Sequence, residues 1–251
     1  MLSILLPTAR RTAPGQEQTA WDDLRVALAS VKAYAPGVEV IVGWAGAEEP
    51  RDLPANPAMR LLRQPPGITT GSEAWNWCAE QAGGDELLIL GDDCVLHPDS
   101  VTRLLEDVAL LRAQVPAISL GFVGARTNFA KGPQNVRYAN EGQLGSVQFS
   151  SEAEIHEVPM VVPVLAWVEK AVFDGVGGFP ATNWFADDLI SWDLTRTGHR
   201  HFISRSYVHH VGQRASAQGR TDDDMLQAGL QWLRAHRPDF LASQLPAELL
   251  V

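Results

Sequence analysis

Two adjacent carboxylates, Asp92 and Asp93, follow directly on the apolar segment "ELLILG" (86–91), which predicts a buried strand. Neighbouring carboxylates repel each other unless a cation or hydrogen bonds offset the cost. A divalent ion such as Mg²⁺ or Mn²⁺ would do so, and such an ion commonly bridges substrate phosphates. The alternative is a pair of loop aspartates near the start of the following helix. Both interpretations are open on these residues alone.

A second acidic pair, Asp187 and Asp188, opens a segment whose apolar residues have helical spacing. Carboxylates are favoured at helix N-termini, which supports a structural role for the pair. The functional interpretation makes one of them a general base that deprotonates a hydroxyl group. The spacing leaves both roles open.

Two histidines, His209 and His210, follow the predicted strand 201–208. Side chains alternate along a strand, so at most one of the two points at a given site. The other interpretation is a pair of polar surface residues. No His-x-x-x-His or Cys-x-x-Cys spacing supports a structural zinc site.

The first half of the chain must position these groups through alternating strands and helices. Apolar runs predict strands, and helical periodicity with capping pairs at Thr19–Asp22 and Thr70–Glu73 predicts helices. The predicted strands are 2–8, 38–45, 59–64, 86–91 and 117–125, and the predicted helices are 19–34, Thr70 to Gly83–Gly84, and 99–113. This alternation favours a mostly parallel central sheet that is flanked by helices in a single α/β domain.

Periodicity weakens in the second half. The segment 126–146 is rich in Gly, Asn and Gln, and it is predicted to loop across the surface. A strand over 158–168, a short helix, the helix that Asp187 opens, the strand 201–208 and a final helix over 223–236 are predicted to follow. The polar segment 213–224 has the composition of a mobile loop, and we expect it to close over a bound ligand.

Composition excludes several classes of protein. A net charge of −10 over 251 residues argues against binding of a phosphate backbone, which requires clustered Lys and Arg. Two cysteines are too few for a disulfide framework, and both are expected to be reduced. No stretch approaches the roughly 20 apolar residues of a membrane span, and the N-terminal apolar run is too short for a signal peptide. We expect a soluble, cytoplasmic protein.

Five segments, in order from residue 2 to about residue 212, resemble glycosyltransferases of the GT-A fold, in the inverting family 2. They are "LSILLPTARR", "GDELLILGDDCVLHPDSV", "GARTNFAKGPQ", "VGGFPATNWFADDLISWDLTRTGHR" and "SYVHHVG". Each segment is weakly specific alone, whereas the ordered set is fairly specific. The resemblance implies a GT-A (Rossmann-like) fold and a hexosyltransferase-type enzyme that inverts the anomeric carbon.

The resemblance also implies a metal site for Mn²⁺ or Mg²⁺. Asp93 corresponds to the last Asp of the family's Asp-x-Asp motif, whose first Asp falls on Gly91, and Asp92 is a second partner. His209 matches the position expected to contact the metal or the diphosphate, with His210 as the alternative. The cation would stabilise the charge that develops on the leaving diphosphate.

Catalytic and binding residues follow from the same resemblance. Asp187 falls on the family's catalytic base, and Asp188 compensates for Ala186, which replaces the preceding Glu. Trp44 is expected either to stack on the base or to belong to the core. The nucleotide-sugar residues implied are Pro7, Thr8, Arg10, Trp44, Gly71, Asn76 and Asp92, and the acceptor residues are Asn128, Gln134, Trp184 and His210.

The implied reaction transfers a sugar from a nucleotide-sugar donor to the hydroxyl of a saccharide or other acceptor. Residues 1–125 would form the donor half of the domain and residues 126–251 the acceptor half. Two other classes remain open: a nucleotidyltransferase on the same sheet, and a non-catalytic nucleotide-sugar-binding protein, which the altered motif and Ala186 would suit. A nucleic-acid base as acceptor is disfavoured by the acidic composition.

Overall fold

The structure is a computed structural model that describes residues 1–8, 16–46, 48–114, 119–130, 132–136, 147–149, 154–211 and 222–244. These residues form strands and helices in alternation through the first half. The strands are β1 (Leu2–Pro7), β2 (Glu39–Trp44), β3 (Met59–Arg63), β4 (Glu86–Leu90), β5 (Cys94–Leu96), β6 (Ser119–Thr127), β7 (Gly132–Asn135), β8 (Val147–Phe149), β9 (His156–Val158), β10 (Leu165–Glu169) and β11 (His199–His210). The helices are α1 (Gln16–Tyr34), α2 (Gly71–Gln81), α3 (Ser100–Gln114), α4 (Lys170–Gly175), α5 (Ala186–Arg196), α6 (Asp222–His236) and α7 (Pro238–Gln244).

A single sheet contains all of these strands, and its main path has the order β3-β2-β1-β4-β10-β6-β11-β5. The strands β3, β2, β1 and β4 are parallel, so their carboxyl ends share one edge. β10 is antiparallel to both β4 and β6, and β11 is parallel to β6. β6 and β11 therefore point in the same direction as β4. The predicted α/β fold, with a mostly parallel sheet flanked by helices, is confirmed.

Helices cover both faces of the sheet, which explains why its central strands are apolar without alternation. On one face, Leu24 of α1 and Leu104 of α3 pack in a cluster that also contains Cys94. On the other face, Cys78 of α2 and Ile190 of α5 belong to a second cluster. A third, smaller cluster joins α5 to α6 and α7. No helix among the described residues has the length and apolar character to cross a membrane.

The helix boundaries agree with the sequence in one case and differ in another. Thr70 caps α2 as predicted: its Oγ1 accepts from the Glu73 N–H at 3.1 Å, and the Glu73 carboxylate accepts from the Thr70 N–H at 2.9 Å. α2 ends at Gln81, ahead of the predicted stop at Gly83–Gly84. α1 begins at Gln16, so Thr19 lies inside the helix and the prediction of a cap there is wrong. Gln and Glu are good helix formers, which suits the additional turn.

The second half differs more from the predictions. The strand predicted over 158–168 is two short strands, β9 and β10, separated by residues without regular structure. Pro159 and Pro163 lie in that gap, and proline cannot donate a backbone hydrogen bond to a sheet. The prediction that 126–146 loops across the surface is wrong where the structure describes it, since Thr127, Gln134 and Asn135 are buried.

Candidate active site

The parallel strands bring several of the singled-out residues to one edge of the sheet. Thr8 follows β1, Asp92 and Asp93 follow β4, and Gln64 continues β3 by donating its backbone N–H to the Trp44 carbonyl at 2.9 Å. In open α/β sheets, ligands bind beyond the carboxyl ends of the strands. This edge is therefore the candidate site.

The β4–β5 turn places Asp93 at the centre of a buried polar cluster. β5 is antiparallel to β11, and the pairing sets Cys94 opposite His210. The Asp93 Oδ2 lies 3.4 Å from the His210 Nε2, and the Cys94 thiol lies 3.8 Å from the Asp93 Oδ1. One atom from each of the three side chains lies within 4.8 Å of the other two, a spacing that a metal ion could bridge.

A side chain at position 91 would be crowded by the two residues that follow the turn. A Cβ atom added to Gly91 would lie 3.0 Å from the Asp93 Oδ1 and 3.0 Å from the Cys94 Sγ. The Cys94 N–H closes the turn by donating to the Gly91 carbonyl at 3.2 Å. The absence of a side chain at Gly91 thus leaves room for the Asp93 carboxylate and the Cys94 thiol.

The segment after β6 holds His210 in a single orientation. The Asn128 side chain accepts from the His210 N–H at 2.7 Å and donates to the His210 carbonyl at 2.8 Å. The His210 Nδ1 lies 2.8 Å from the Phe129 carbonyl, which can only accept, so Nδ1 carries a proton. In the neutral imidazole the lone pair is then on Nε2, the atom that faces Asp93. A metal-bound histidine is oriented in the same way.

The pKa values of His210 and Cys94 both lie above their ordinary values. Burial alone would lower the pKa of His210, but the hydrogen bond to Asp93 and the charge of that carboxylate outweigh it and raise the pKa above its ordinary value. Burial, together with the charges of Asp93 and Asp92, raises the pKa of the Cys94 thiol well above its ordinary value. Cys94 therefore keeps its proton. A carboxylate and an imidazole are donor types that suit a divalent cation such as Mn²⁺, and a cation that binds at Asp93 and His210 has to displace the proton from the His210 Nε2.

The two histidines lie on opposite faces of β11, as alternation predicts. His209 is exposed, and its Nδ1 lies 3.3 Å from the Tyr207 hydroxyl. The expected metal contact through His209 is not supported, because its neighbour His210 reaches Asp93 instead. Asp92 is 3% exposed and lies beside Asp93, outside the three-residue cluster.

The acidic pair predicted to open a helix does so. Asp187 and Asp188 are half-buried in the first turn of α5, and Phe185 precedes them in the left-handed conformation with φ 70°. α5 leads into β11, which starts at the opposite edge of the sheet, so the N-terminus of α5 lies at the same edge as Asp93. α6 packs closely against the residues that precede α5. Gly229 of α6 permits this approach, because a Cβ at that position would lie 2.8 Å from the Trp184 Cβ.

Contacts between two segments join this helix entry to α2. The Gly71 N–H donates to the Asn183 Oδ1 at 2.9 Å, and the Ser72 hydroxyl donates to the Thr182 carbonyl at 2.7 Å. The N-termini of α2 and α5 are therefore tied together. Gly71 is expected in the nucleotide pocket, and its backbone N–H forms the hydrogen bond to Asn183 that joins the two helices.

Three amide side chains expected to bind ligands instead hold the backbone. Asn76 accepts from the Phe179 N–H at 2.8 Å and donates to the Phe179 carbonyl at 2.7 Å. Gln134 is 1% exposed and bonds to Ala125 and Val162. Asn128 holds His210, as described above. Both ends of each amide have protein partners, so these side chains position the backbone, and their contacts with a ligand stay a prediction.

The remaining expected residues have mixed placements. Trp44 is 6% exposed within the core, and the Arg63 guanidinium lies 5.0 Å above its ring, so a base-stacking role for Trp44 is not supported. Thr8 is buried at the end of β1 next to Pro7, where its Oγ1 accepts weakly from the Ala45 N–H at 3.4 Å. Trp184 is half-buried against the third cluster. Arg10 and most of the predicted lid 213–224 lie outside the described residues.

A cavity that the sequence analysis missed lies beyond the ends of β2 and β3. It has a volume of about 380 Å³, and Gln64 and Arg63 line it together with Pro65, Pro66 and Ile68. The sequence feature that could have indicated this cavity is the position of Gln64 directly after a parallel strand, where α/β sheets place ligand contacts.

Comparisons with known proteins identify the fold. No protein-family model and no curated protein matches the chain. S. aureus TarS 1–349 in complex with UDP-GlcNAc superposes with a TM-score of 0.57 at 14% identity, covering 98% of this chain and 68% of that one. GalNAc-T7 with UDP, GalNAc and Mn²⁺ superposes with a TM-score of 0.64 at 14% identity, covering 85% of this chain and 44% of that one. Such a likeness establishes the architecture, so the chain has the GT-A glycosyltransferase fold.

Proposed function

We propose that this protein is a glycosyltransferase that moves a sugar from a nucleoside diphosphate donor to an acceptor hydroxyl, with inversion and with the help of a divalent cation. The observation that carries the proposal is the Asp93–His210 pair at the carboxyl edge of a GT-A sheet. The solved neighbours contain UDP-GlcNAc in one case and UDP, GalNAc and Mn²⁺ in another, which supports this donor class.

Asp93 and His210 would hold the cation, Mn²⁺ or Mg²⁺, through a carboxylate oxygen and the imidazole Nε2. When bound, such an ion neutralises the diphosphate and stabilises the charge on the leaving group. The chain carries a net charge of −10, so an anionic donor needs a local positive charge of this kind.

The acceptor step is assigned to the N-terminus of α5. Asp187 would accept the proton of the acceptor hydroxyl while that oxygen attacks the anomeric carbon, and the bond from that carbon to the diphosphate oxygen breaks. Asp188 beside it stands in for the glutamate that Ala186 replaces. A single displacement of this kind inverts the anomeric centre and requires one base and no enzyme nucleophile.

The two halves of the chain would bind the two substrates. Residues 1–125 would form the donor half, to which His210 of the second half contributes, and residues 126–251 would form the acceptor half, for a saccharide or another hydroxyl compound. Both cysteines are free thiols, which fits a protein that works in the reducing cytoplasm.

Binding of UDP with and without Mn²⁺ tests the cation site, using two neighbouring histidines as a matched pair. We expect His210→Gln to weaken Mn²⁺-dependent binding of UDP roughly tenfold or more, because a ligand is lost. His209→Gln should bind as the wild type does, since that side chain lies on the other face of β11. Titration calorimetry measures both. Equal affinities for the two variants would exclude His210 from the site.

Release of UDP from a sugar donor tests the base. Asp187→Asn keeps the size of the side chain and removes its ability to take a proton. We expect donor affinity to remain and turnover to fall by about 10²–10⁴-fold, the usual contribution of a general base. Asp99→Asn, in the turn before α3, is the control with unchanged turnover. Near-normal turnover in Asp187→Asn would show that another group takes the proton.

A further inference from the structure

The side chain of Gln64 is fixed at the end of β3 by two hydrogen bonds. Its Nε2 donates to the Thr8 carbonyl at 3.0 Å and to the Gly43 carbonyl at 2.8 Å. Carbonyl oxygens only accept, so the opposite orientation of the amide would set three acceptors against one another. The amide orientation is therefore determined by chemistry, and Oε1 must point away from β1 and β2.

The Oε1 of Gln64 is left as an acceptor beside the cavity. Within the described residues, the two bonds from Nε2 are the side-chain hydrogen bonds of Gln64, and the residue lines the 380 Å³ cavity. Pro65, Pro66 and Ile68 provide apolar walls, and the Arg63 guanidinium provides N–H donors. An apolar slot with one fixed acceptor and neighbouring donors suits a flat heterocycle that carries both N–H and C=O groups.

The distance to the cation site suits the two ends of one nucleotide. β3, β2, β1 and β4 are adjacent and parallel, and neighbouring strands lie about 4.8 Å apart. The end of β3 is therefore about 14 Å from the end of β4, where Asp93 lies. A nucleoside diphosphate can span that distance with its base in the cavity and its phosphates at Asp93.

We propose that Gln64 determines the nucleobase specificity of this site by accepting the ring N3–H of uracil or thymine. The inference rests on the proposed function, because it assigns the donor's base to this cavity. In these two bases the N–H lies between two carbonyl groups, to which Arg63 can donate. Cytosine has an unprotonated N3, which would face Oε1 as a second acceptor and be rejected.

A modified nucleotide tests the hydrogen bond without any change to the protein. We expect Mn²⁺-dependent binding of UDP to be roughly tenfold or more tighter than that of 3-methyl-UDP or CDP, since each lacks the N3–H. A panel with dTDP separates uracil from thymine as the base. Equal affinities for UDP and 3-methyl-UDP would overturn the role of Gln64 and leave the proposed function standing. Failure of every nucleoside diphosphate to bind would overturn both.

The variant Gln64→Met completes the test, because methionine has a similar length and lacks the amide. We expect this variant to bind UDP roughly tenfold more weakly than the wild type and to bind UDP and 3-methyl-UDP alike. Gln81→Met, at the end of α2 and away from the cavity, is the control that keeps the wild-type preference. A Gln64→Met protein that keeps the full preference for UDP would refute the assignment. The comparison of the two nucleotides on the wild type stands even if this variant does not fold.

Discussion

Replacing Asn128 with alanine tests how His210 is positioned beside Asp93. The substitution removes three hydrogen bonds: the Asn128 Oδ1 accepts from the His210 N–H at 2.7 Å and from the Thr127 hydroxyl at 3.2 Å, and its Nδ2 donates to the His210 carbonyl at 2.8 Å. The bond from the His210 Nδ1 to the Phe129 carbonyl remains. The imidazole therefore keeps its tautomer but loses the backbone support that directs Nε2 at the carboxylate.

Two consequences have separate magnitudes. Each lost hydrogen bond is worth about 1 kcal/mol, and the bond from Thr127 is the longest of the three, so the free energy of unfolding should fall by about 2–3 kcal/mol. In a chain of this size that corresponds to a fall in Tm of roughly 4–12 °C. Loss of an outer partner of a metal ligand typically weakens metal affinity about 10–100-fold, and we expect the lower end because Phe129 still holds the ring.

Asn76→Ala is the matched control, because Asn76 makes the same pair of bonds to the backbone of Phe179, at 2.8 and 2.7 Å. Both variants should lose similar stability, measured by urea unfolding in EDTA. Only Asn128→Ala should lose Mn²⁺ affinity, measured by paramagnetic resonance of the free ion. If both variants kept wild-type Mn²⁺ affinity, or if both lost it equally, the positioning role of Asn128 would be refuted.

Two further predictions concern stability. The pKa of His210 is raised on folding, so its pairing with Asp93 stabilises the metal-free protein below the ordinary value of 6.5, and this contribution is lost as pH rises through the folded pKa. In EDTA, the difference in urea midpoint between wild type and His210→Gln should be larger at pH 6 than at pH 9, and a pH-independent difference would contradict the pairing. Thr70→Ala removes the cap of α2 and should cost about 1 kcal/mol, or roughly 2–4 °C in Tm. An unchanged calorimetric Tm would show that the Thr70–Glu73 box does not stabilise the helix.

The first half of the fold is predictable because its signals are local. Apolar runs bounded by turns mark β1, β2 and β4, and the Thr70–Glu73 spacing marks the start of α2. A strand that is covered on both faces can be recognised without knowing which strands pair with it, because its continuous run of apolar residues identifies it. Boundary errors such as the start of α1 arise where good helix formers extend a helix beyond a capping pair.

The second half depends on contacts between distant residues. β5 is three residues long, and it forms because β11 pairs with it, more than a hundred residues later in the chain. The burial of Gln134 follows from bonds to Ala125 and Val162, which no periodicity reveals. Loop composition therefore gave the wrong prediction for this segment, because its polar side chains bond to buried backbone.

The candidate site was predictable in its location and less so in its atoms. Asp93 and the α5 carboxylates could be found from strand ends and helix starts. Alternation in β11 showed that one histidine would face the site, and the choice of His210 required the pairing with β5. Gln64 belongs to no sequence motif. Its proposed role depends on the orientation of its amide, which the hydrogen bonds to the Thr8 and Gly43 carbonyls determine.

The two cysteines lie on opposite faces of the sheet: Cys78 belongs to α2 and faces the sheet, and Cys94 of β5 lies in the cluster beneath α1 and α3. Burial raises the pKa of the Cys78 thiol to about 12. Burial, together with the charges of Asp93 and Asp92, raises the pKa of the Cys94 thiol well above its ordinary value. Thiol reagents attack the deprotonated sulfur, so alkylation of either site must wait for an opening fluctuation. The alkylation rates of Cys78 and Cys94 therefore report separately how often each of the two helical layers opens away from the sheet.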